Sequence, residues 1–555
     1  MIALRASSVG LSQVGVLVTS VAALTACGPE GVSDPSTSSS ADRPVFVDVT
    51  AASGLELEIT SGASPPTQIL EVKGGGVAVL DWRGDGDLDL LFPNGATLDS
   101  PDRGPGARLF DSIGPLRFSD ATEAAALDFD RWAMGPAVGD LDGDGLDDAY
   151  LCAFGPDAVL RQGSDGSLSE SQGALEGDDL GWSSGAALGD LDRDGDLDVY
   201  VARYLEFDPT SPPPPTEFLG LEVFGGPFGL PAVEDHLWVN AGDGTFTEQA
   251  RAHGLHDVPA AQGLGATIVD LDQDGRLDVY VGNDSMPDFA WYAGEDGRFV
   301  ERGATAGLAT NGSGAGQATM GIALADLDDD EIADVFTTNF ANDTNTLRLS
   351  SGAARWRDAS SVSGLAAVSR PYCGWSAAFG DFDLNGETDL IVFNGHVYPE
   401  SVAQQLGSHR AQRALLFRGT GDRFERWLDV PALESPGCFR GAVLADLDRD
   451  GDQDVIATDI TGPVRVLENT TESPSIVVEL ADSADLGARI CLVEGDRRST
   501  AWILSGAGYH SASARQAVFR APTGPARLEV TWPDGSTSSF EGVTAGRRTV
   551  SRDGR

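Results

Sequence analysis

One acidic segment, GDLDRDGDLD at residues 189–198, recurs along this chain of 555 residues and constrains the fold more than any other feature. Asp190, Asp192 and Asp194 alternate with other residues, Gly195 follows, and Asp198 closes a nine-residue loop. Carboxylates at this spacing can converge on one hard cation, and calcium takes about six to eight oxygen ligands. Glycine at the sixth position permits the positive φ of the sharp turn. Further copies begin at Asp81, Asp140, Asp270, Asp326, Asp381 and Asp446.

Each acidic loop lies between two apolar runs that are typical of β-strands. A small residue precedes the first aspartate by five positions in every copy: Gly76, Gly135, Gly185, Gly265, Gly321, Ser376 and Gly441. An EF-hand would need an acidic residue at its twelfth position and then a helix. Leu151, Val201 and Val281 stand at that position in three of the copies, and strand formers surround them. The pattern therefore excludes an EF-hand and predicts a strand–loop–strand unit.

The predicted calcium ligands are the side-chain oxygens at alternate positions of each loop and at its last position. They are Asp81, Asp85, Asp87 and Asp89 in loop one; Asp140, Asp142, Asp144 and Asp148 in loop two; Asp190, Asp192, Asp194 and Asp198 in loop three; Asp270, Asp272, Asp274 and Asp278 in loop four; Asp326, Asp328, Asp330 and Asp334 in loop five; Asp381, Asp383, Asn385 and Asp389 in loop six; and Asp446, Asp448, Asp450 and Asp454 in loop seven. Two loops are irregular, because Arg83 replaces a ligand in loop one and Glu331 replaces the turn glycine of loop five. We expect about five to seven Ca²⁺ sites.

A second element alternates with the loops and begins with an aromatic residue near an acidic or polar one. Its copies begin near Phe46, Phe118, Leu168, Phe246, Phe299, Trp356 and Phe424. Each repeat then holds about four short strands, which is the content of a propeller blade. One copy precedes the first loop and none follows the seventh, so an N-terminal strand would complete the last blade. The predicted fold is all-β: a seven-bladed β-propeller over residues 45–474, closed by that strand and followed by a small separate β domain at 475–555.

The N-terminus resembles a bacterial lipoprotein signal peptide, with Arg5, an apolar segment and Leu24-Thr25-Ala26 before Cys27. The apolar segment is short for a membrane span. We expect residues 1–27 to be the signal with its lipobox, Cys27 to be lipidated, and 28–44 to be a flexible tether. An ordinary secretory signal is the alternative. The chain would be exported and held in the cell envelope or at the cell surface, with the membrane contacted only through the lipid anchor.

Charge and cysteine usage limit the partners and the covalent cross-links. The formal net charge is −49, from 86 acidic and 37 basic residues, which excludes nucleic acid as a partner. Cys373 and Cys438 occupy equivalent places in neighbouring repeats, so a disulfide between them is one option and buried free thiols are the other.

The spacing between loops three and four is longer than between other loops, and the extra residues run from Tyr204 to Pro231. We expect this segment to be an inserted surface loop, either a binding feature or a spacer.

With these residues considered, the chain resembles the FG-GAP/VCBS-repeat proteins that end in an ASPIC/UnbV domain, the cartilage acidic protein-like group. The resemblance rests on GDLDGDGLDD (139–148), NDSMPDF (283–289), TNFANDTNTL (338–347), FNGHVYP (393–399), SGAGYHS (505–511) and VTWPDGS (530–536). It implies a calcium-binding propeller at or beyond the cell surface whose role is interaction. Related chains usually carry a cysteine pair in the long insertion, where Glu217 and Gly225 stand here. Phe519-Arg520-Ala521-Pro522 replaces the usual Phe-Gly-Leu-Gly.

Local catalytic motifs are weak. Gly181-Trp182-Ser183-Ser184-Gly185 matches a nucleophile elbow but leads into a strand where a helix is required. His253 and His256 have ligand-like spacing but follow an outer strand, and His396 fits a hydrogen-bonded structural role. Two function classes remain: a calcium-stabilised module, without catalytic activity, that binds an unidentified protein or glycan at the cell surface, and an envelope enzyme acting on polysaccharide at the propeller channel. An apolar or aromatic patch on a rim or on the insertion would favour the binding module.

Overall fold

The computed structural model describes residues 46–176, 181–256, 258–352, 354–421 and 423–552. The predicted signal peptide, Cys27 and the tether lie outside the described residues. All described residues belong to one compact unit. No helix within the described ranges is both long and apolar enough to cross a membrane.

Seven antiparallel sheets follow one another along the chain, and each is built on four strands. The strands, in chain order, are β1 (Phe46–Asp48); β2 (Val77–Leu80), β3 (Asp89–Phe92), β4 (Arg108–Gly114) and β5 (Arg117–Asp120) in sheet 1; β6 (Ala133–Gly139), β7 (Asp148–Ala153), β8 (Ala158–Gln162) and β9 (Leu168–Glu170) in sheet 2; β10 (Leu175–Glu176), β11 (Ser183–Gly189), β12 (Asp198–Arg203), the separate hairpin β13 (Thr216–Phe218) and β14 (Leu221–Val223), β15 (His236–Asn240) and β16 (Phe246–Glu248) in and around sheet 3; β17 (Gly263–Val269), β18 (Asp278–Asn283), β19 (Phe289–Ala293) and β20 (Phe299–Glu301) in sheet 4; β21 (Ile322–Ala325), β22 (Asp334–Thr337), β23 (Thr346–Ser350) and β24 (Trp356–Asp358) in sheet 5; β25 (Gly374–Gly380), β26 (Asp389–Asn394), β27 (Leu415–Gly419) and β28 (Phe424–Arg426) in sheet 6; and β29 (Phe439–Ala445), β30 (Asp454–Asp459) and β31 (Arg465–Asn469) in sheet 7.

The strand β1 completes sheet 7, because Phe46, Val47 and Asp48 pair antiparallel with Asn469, Glu468 and Leu467. The first strand of each sheet also contacts the first strand of the next, from β2 through β6, β11, β17, β21 and β25 to β29, and β29 contacts β2. These pairings join the N-terminal and C-terminal ends of the repeat region.

The apolar core lies between consecutive sheets. Ala78 and Leu91 of sheet 1 pack with Ala149 and Leu160 of sheet 2, and comparable clusters fill the other gaps. A further cluster joins sheet 1 to sheet 7. Because both faces of most sheets are covered, strands such as Asp198–Arg203 are buried along their whole length. Burial of this kind contributes about 25 cal/mol per Å² of apolar surface.

The C-terminal residues form two further sheets. The strands of this region are β32 (Ser475–Leu480), β33 (Arg489–Glu494), β34 (Arg497–Trp502), β35 (Ser511–Ala512), β36 (Gln516–Arg520), β37 (Ala526–Thr531), β38 (Thr537–Glu541) and β39 (Gly546–Val550), of which β35 belongs to neither sheet. One sheet has the order β36-β32-β39 and the other β34-β33-β37-β38. Helical segments are short and lie in connections: α1 (Thr50–Ser53), α2 (Gly303–Ala306), α3 (Leu365–Ser369), α4 (Glu400–Gln405) and three 3₁₀ turns (Ile69–Val72, Pro431–Leu433, Ser483–Asp485).

The C-terminal sheets are not isolated from the repeats, because the segment 505–512, which we name the axial loop, enters among the first strands of the seven sheets. Its strand β35 pairs parallel with β2 of sheet 1. Gly508 exchanges two backbone hydrogen bonds with Ile322 of sheet 5, at 2.7 and 2.9 Å. The Tyr509 hydroxyl donates to the Lys73 carbonyl oxygen at 3.0 Å, and the His510 ring contacts the Leu264 carbonyl oxygen at 3.1 Å. No sequence pattern predicts that this loop enters among the first strands.

The axial loop explains why glycine is needed five positions before the acidic loop in some of the repeats. A Cβ added to Gly76 would lie 2.0 Å from the His510 carbonyl oxygen, and one added to Gly135 would lie 2.7 Å from the His510 Cβ. At Gly265 the nearest atom to an added Cβ is 3.6 Å away. The same repeat position is therefore crowded on one side of the axial loop and open on the other.

We expect Gly76→Ala to destabilise the protein by about 3 kcal/mol or more, because backbone must move to admit the methyl group. Gly265→Ala is the matched control and should change the free energy of unfolding by less than about 1 kcal/mol. Urea unfolding followed by tryptophan fluorescence measures both. Equal effects of the two substitutions would contradict the placement of the axial loop.

Of the two options for Cys373 and Cys438, the structure has the one without a disulfide. Both side chains are buried, as are those of Cys152 and Cys491, and none of these four cysteines takes part in a disulfide. The Cys438 thiol instead donates to the Arg410 carbonyl oxygen at 3.3 Å. Equivalent positions in neighbouring repeats therefore do not face each other closely enough to bond here.

Candidate metal centres and the comparisons

The acidic loops all connect the first strand of a sheet to its second strand, so they lie at the same end of the first strands. Position 6 of every loop has positive φ: 102° at Gly195, 81° at Gly275 and 65° at Glu331, for example. Position 4 is also left-handed in the loops where it is not glycine, with φ of 69° at Arg193 and 57° at Gln273. These two residues fold each loop back on itself, which brings alternate side chains together.

Five loops bring three carboxylates each to a common point. In each of these groups, one oxygen per residue lies within 4.8 Å of the others. The groups are Asp140, Asp142 and Asp148; Asp190, Asp192 and Asp194; Asp270, Asp272 and Asp278; Asp326, Asp328 and Asp330; and Asp381, Asp383 and Asp389. Each triad could hold a metal ion, and its members are three of the four predicted ligands of that loop.

The remaining predicted ligands lie in the same loops. Asp144, Asp274 and Asn385 at position 5 each accept a backbone N–H from two residues further on. Asp198 and Asp334 close loops three and five and are fully buried. In loop seven, Asp448 and Asp450 accept backbone N–H groups at 3.2 Å, and Asp454 is buried.

The aspartate at position 9 holds each loop to its sheet. In loop three, Asp198 accepts the Leu191 N–H on Oδ2 at 2.9 Å and the Asn240 N–H on Oδ1 at 3.0 Å. The second bond comes from the third strand of the sheet, and the same pair of bonds recurs in every other loop, as at Asp278 with Leu271 and Ala293. The closing carboxylate therefore has a structural role in addition to any metal contact.

Several buried carboxylate oxygens in the loops have no hydrogen-bond donor. These atoms are Asp142 Oδ1, Asp190 Oδ1, Asp272 Oδ1, Asp446 Oδ1 and Asp452 Oδ1. A buried anionic oxygen without a partner is costly, and a bound cation removes that cost. The donor set consists of hard carboxylate oxygens on a flexible loop, which fits Ca²⁺ better than softer metals. The residues present therefore fit the group that the sequence predicts.

Burial raises the pKa of the position 9 carboxyls. The pKa is raised to about 7 at Asp89 and Asp148 and to about 8 at Asp198 and Asp334, with desolvation as the main cause and neighbouring loop carboxylates adding to it. In the unfolded chain an aspartate has a pKa near 3.8. The native metal-free protein thus binds more protons than the unfolded chain between about pH 4 and 8.

We expect the metal-free protein to lose stability as the pH rises from 6.5 to 8.0. The sign follows from linkage: where the native state binds more protons, the free energy of unfolding falls with increasing pH, here by roughly 1 kcal/mol per position 9 carboxyl. Saturating calcium should flatten the dependence, because the bound cation replaces the protons. Thermal unfolding in EGTA and in calcium at both pH values measures this. A metal-free protein that is more stable at pH 8.0 would contradict it.

In the two irregular loops, one and five, charged side chains form ion pairs at the residue that departs from the pattern. Arg83 in loop one lies 3.4 Å from Asp85 Oδ2 and also pairs with Asp111, so a guanidinium supplies positive charge there. Glu331 in loop five takes the strained φ of 65°, as the sequence suggests. Its carboxylate pairs with Arg489 at 3.2 Å and Arg498 at 2.6 Å, both from the C-terminal sheets.

The C-terminal sheets contact several of the acidic loops directly. The Asp140 N–H donates to Ser483 Oγ at 2.8 Å, and Arg515 lies 2.7 Å from Asp147 Oδ1. Arg547 pairs with Asp446, the first residue of loop seven. The C-terminal region therefore packs on the end of the molecule that carries the loops, and its arginines neutralise part of their charge.

The candidate catalytic residues are occupied by structural contacts. Ser183 begins the strand β11, and its Oγ donates to Asp157 Oδ2 at 2.7 Å. His396 is buried and accepts the Tyr398 N–H at 3.1 Å, while burial lowers its pKa to about 4. His253 is half-buried and contacts the Gly297 carbonyl oxygen at 2.7 Å.

Comparisons with known proteins agree with the repeat pattern. The family of FG-GAP-like repeats matches residues 140–201, 223–281 and 270–337, and the ASPIC and UnbV family matches residues 481–554. Human cartilage acidic protein 1 is 27% identical over 306 residues, which cover 51% of this chain and 44% of that protein. The mouse protein is 28% identical over 217 residues, 37% of this chain and 30% of its own length. The chain spans less than half the length of these curated relatives.

Solved structures give weaker likenesses. A structure described as the basis of recognition of non-reducing terminal N-acetylglucosamine by an Agrocybe aegerita lectin has a TM-score of 0.38 and 14% identity, covering 71% of this chain and 94% of that one. The exotype rhamnogalacturonan lyase YesX has a TM-score of 0.38 and 13% identity, covering 75% of this chain and 76% of that one. On a β-rich fold, the chain therefore matches the FG-GAP-like repeats over part of its length and the ASPIC and UnbV family at its C-terminal residues, and it is similar to cartilage acidic protein 1 over 51% of its length.

Proposed function

We propose that this chain is a calcium-binding interaction module without catalytic activity, exported and lipid-anchored through Cys27, that binds a protein or glycan at the cell surface. Its body is a closed seven-bladed β-propeller. The observation that carries the proposal is the convergence of carboxylate oxygens within 4.8 Å in loops two to six. A protein with so many buried carboxylates in its loops needs bound cations to reach its full stability.

Three contacts support closure of the propeller. The strand β1 pairs with β31, β29 contacts β2, and an apolar cluster that includes Val79 and Ile456 fills the gap between sheets 1 and 7. A closed propeller leaves only short outer edges on its sheets, which limits edge-to-edge aggregation of a surface protein.

The axial loop supports a role other than catalysis at the channel. Tyr509 and His510 are buried on the axis and stack at 3.7 Å, and Tyr509 packs against Trp375 at 4.7 Å. A substrate at the channel would have to displace these rings. The insertion, in contrast to these buried rings, has an exposed apolar surface, since Phe228 and Leu219 are 71% and 68% exposed. Exposed apolar side chains of this kind are typical of binding surfaces.

The proposal is tested by capture from the envelope fraction of the source cells, using the immobilised full-length protein with calcium or with EGTA. We expect a specific protein or glycan to be retained in calcium and released by EGTA. The control is the loop four variant Asp272→Asn/Asp274→Asn, which should retain less partner at low calcium. Cleavage of envelope polysaccharide by the protein, or retention that is identical in EGTA, would overturn the proposal.

A further inference from the structure

A cavity of about 690 Å³ lies beneath the insertion, and it is separate from the acidic loops. Its lining includes Lys73, which precedes β2, and Asp284, Phe340 and Tyr398, which follow the second strands of sheets 4, 5 and 6. These positions are at the opposite end of the first strands from the acidic loops. Phe218 and the rest of the hairpin β13–β14 form the other wall. The volume is within the range of ligand sites, roughly 300–1,000 Å³.

The walls of this insertion cavity are aromatic, and the rings meet edge to face. Phe218 packs on Phe340 at 5.8 Å and 89°, Phe224 on Tyr398 at 5.1 Å and 64°, and Phe340 on Tyr398 at 6.0 Å and 73°. Rings at these angles form a cage and offer no flat platform for stacking. The faces of such rings carry partial negative charge and attract cations and their adjacent methylene groups.

The charges around the cavity favour a cation. Lys73 Nζ lies 3.1 Å from Asp284 Oδ2, with both side chains at most 8% exposed, so this buried pair is neutral overall. The Tyr204 hydroxyl also donates to Asp284 Oδ2, at 2.5 Å. Glu217 and Asp343 are the other charged side chains in the lining, and both are acidic. The whole chain has a net charge of −49, which adds a long-range attraction for a basic partner.

The rim of the cavity favours a polypeptide over a small molecule. Phe228 and Leu219 line the cavity and are the two most exposed of the large apolar side chains in the described part of the chain. Leu219 is held at the tip of the hairpin with φ of 50°, where a glycine would be less strained. A molecule small enough to fill only the cavity would leave both side chains in water. An extended segment could enter the cavity and cover the rim as well.

We propose that the insertion cavity binds a basic, apolar peptide segment of a partner protein. An apolar side chain of the segment enters the cavity and packs against the cluster of Phe218, Phe224, Phe340 and Tyr398, and a neighbouring lysine or arginine pairs with Glu217 and Asp343 at the mouth. The inference rests on the proposed interaction function and names its site and the chemistry of its partner.

The first test selects binders from a random heptapeptide phage library on the full-length, calcium-loaded protein. We expect enrichment of peptides that place a lysine or arginine next to an aromatic or large aliphatic residue. Enrichment of acidic or uncharged peptides, or no enrichment at all, would overturn the inference.

The second test measures an enriched, fluorescently labelled peptide by anisotropy against four variants. Phe228→Ala should weaken binding about tenfold, as expected for an aromatic anchor, while Ile113→Ala, which is 62% exposed on β4, should leave binding unchanged. Glu217→Gln should weaken binding and reduce its salt dependence, while Glu123→Gln should not. Because these side chains are exposed, their removal should leave the melting temperature unchanged, which separates lost binding from lost folding. Equal affinities across the four variants would refute the site.

Failure of this inference is distinguishable from failure of the proposed function. If Phe228→Ala captures the envelope partner as well as the unaltered protein does, the interaction function stands and the insertion cavity is the wrong site. If the unaltered protein captures nothing, the interaction function itself fails.

Discussion

Chelation of calcium with EGTA is expected to lower the melting temperature of this protein by about 10 °C or more. An ion that binds only the folded state at about a hundred times its Kd stabilises by roughly 2.7 kcal/mol. Five such sites would contribute about 13 kcal/mol, and a chain of this size gains on the order of 1 kcal/mol per kelvin in unfolding entropy. Differential scanning calorimetry in EGTA and in millimolar calcium measures the shift.

The control for this experiment is magnesium added in the presence of EGTA. Magnesium demands near-octahedral geometry and dehydrates reluctantly, so it should restore little of the lost stability. Because the C-terminal sheets contact the acidic loops, the ASPIC and UnbV domain should unfold in the same transition as the repeats. A melting temperature that EGTA leaves unchanged would contradict the proposed metal sites.

Asp278→Ala is expected to destabilise the protein by about 3–5 kcal/mol even in EGTA. Both oxygens of Asp278 accept backbone N–H groups, from Leu271 and Ala293 at 2.9 Å each, and the side chain is buried. Its removal leaves two buried donors unpaired, at about 1–3 kcal/mol each. Guanidinium unfolding curves measure the loss.

Asp274→Ala is the matched control for Asp278→Ala, because Asp274 belongs to the same loop but is partly exposed. It should have a smaller effect in EGTA and a larger effect in calcium, since Asp274 bonds only the nearby Arg276 in the metal-free loop and is also a predicted ligand. Equal losses for the two variants in EGTA would contradict the division of roles between positions 5 and 9.

The local units of this fold were predictable from sequence because each has a short-range signal. Asp190 to Asp198 define a loop by spacing alone, and Val199-Tyr200-Val201 define the strand that follows. The aromatic residues that begin the second element, such as Phe246, Phe299 and Phe424, all fall in the fourth strand of a sheet. The pairing of Phe46–Asp48 with the last sheet followed from counting elements, since one copy was surplus at the start and one was missing at the end.

The features that depend on long-range packing were not predictable. SGAGYHS at 505–511 has no periodicity that signals entry among the first strands of the sheets, and its partners Lys73, Leu264 and Ile322 are distant in sequence. The two roles of Asp278 and its equivalents were also missed, because the donor from the third strand lies 14 to 42 residues away. The insertion was found by its excess length, but the aromatic cage it forms with Phe340 and Tyr398 requires the folded chain.

The most direct test of the metal-binding account is the number of calcium ions bound per chain, measured by equilibrium dialysis followed by elemental analysis. The account predicts about five to seven ions per chain at millimolar calcium, and about one fewer in a variant with Asp190, Asp192 and Asp194 replaced by asparagine. Fewer than about two ions per chain under the same conditions would contradict it.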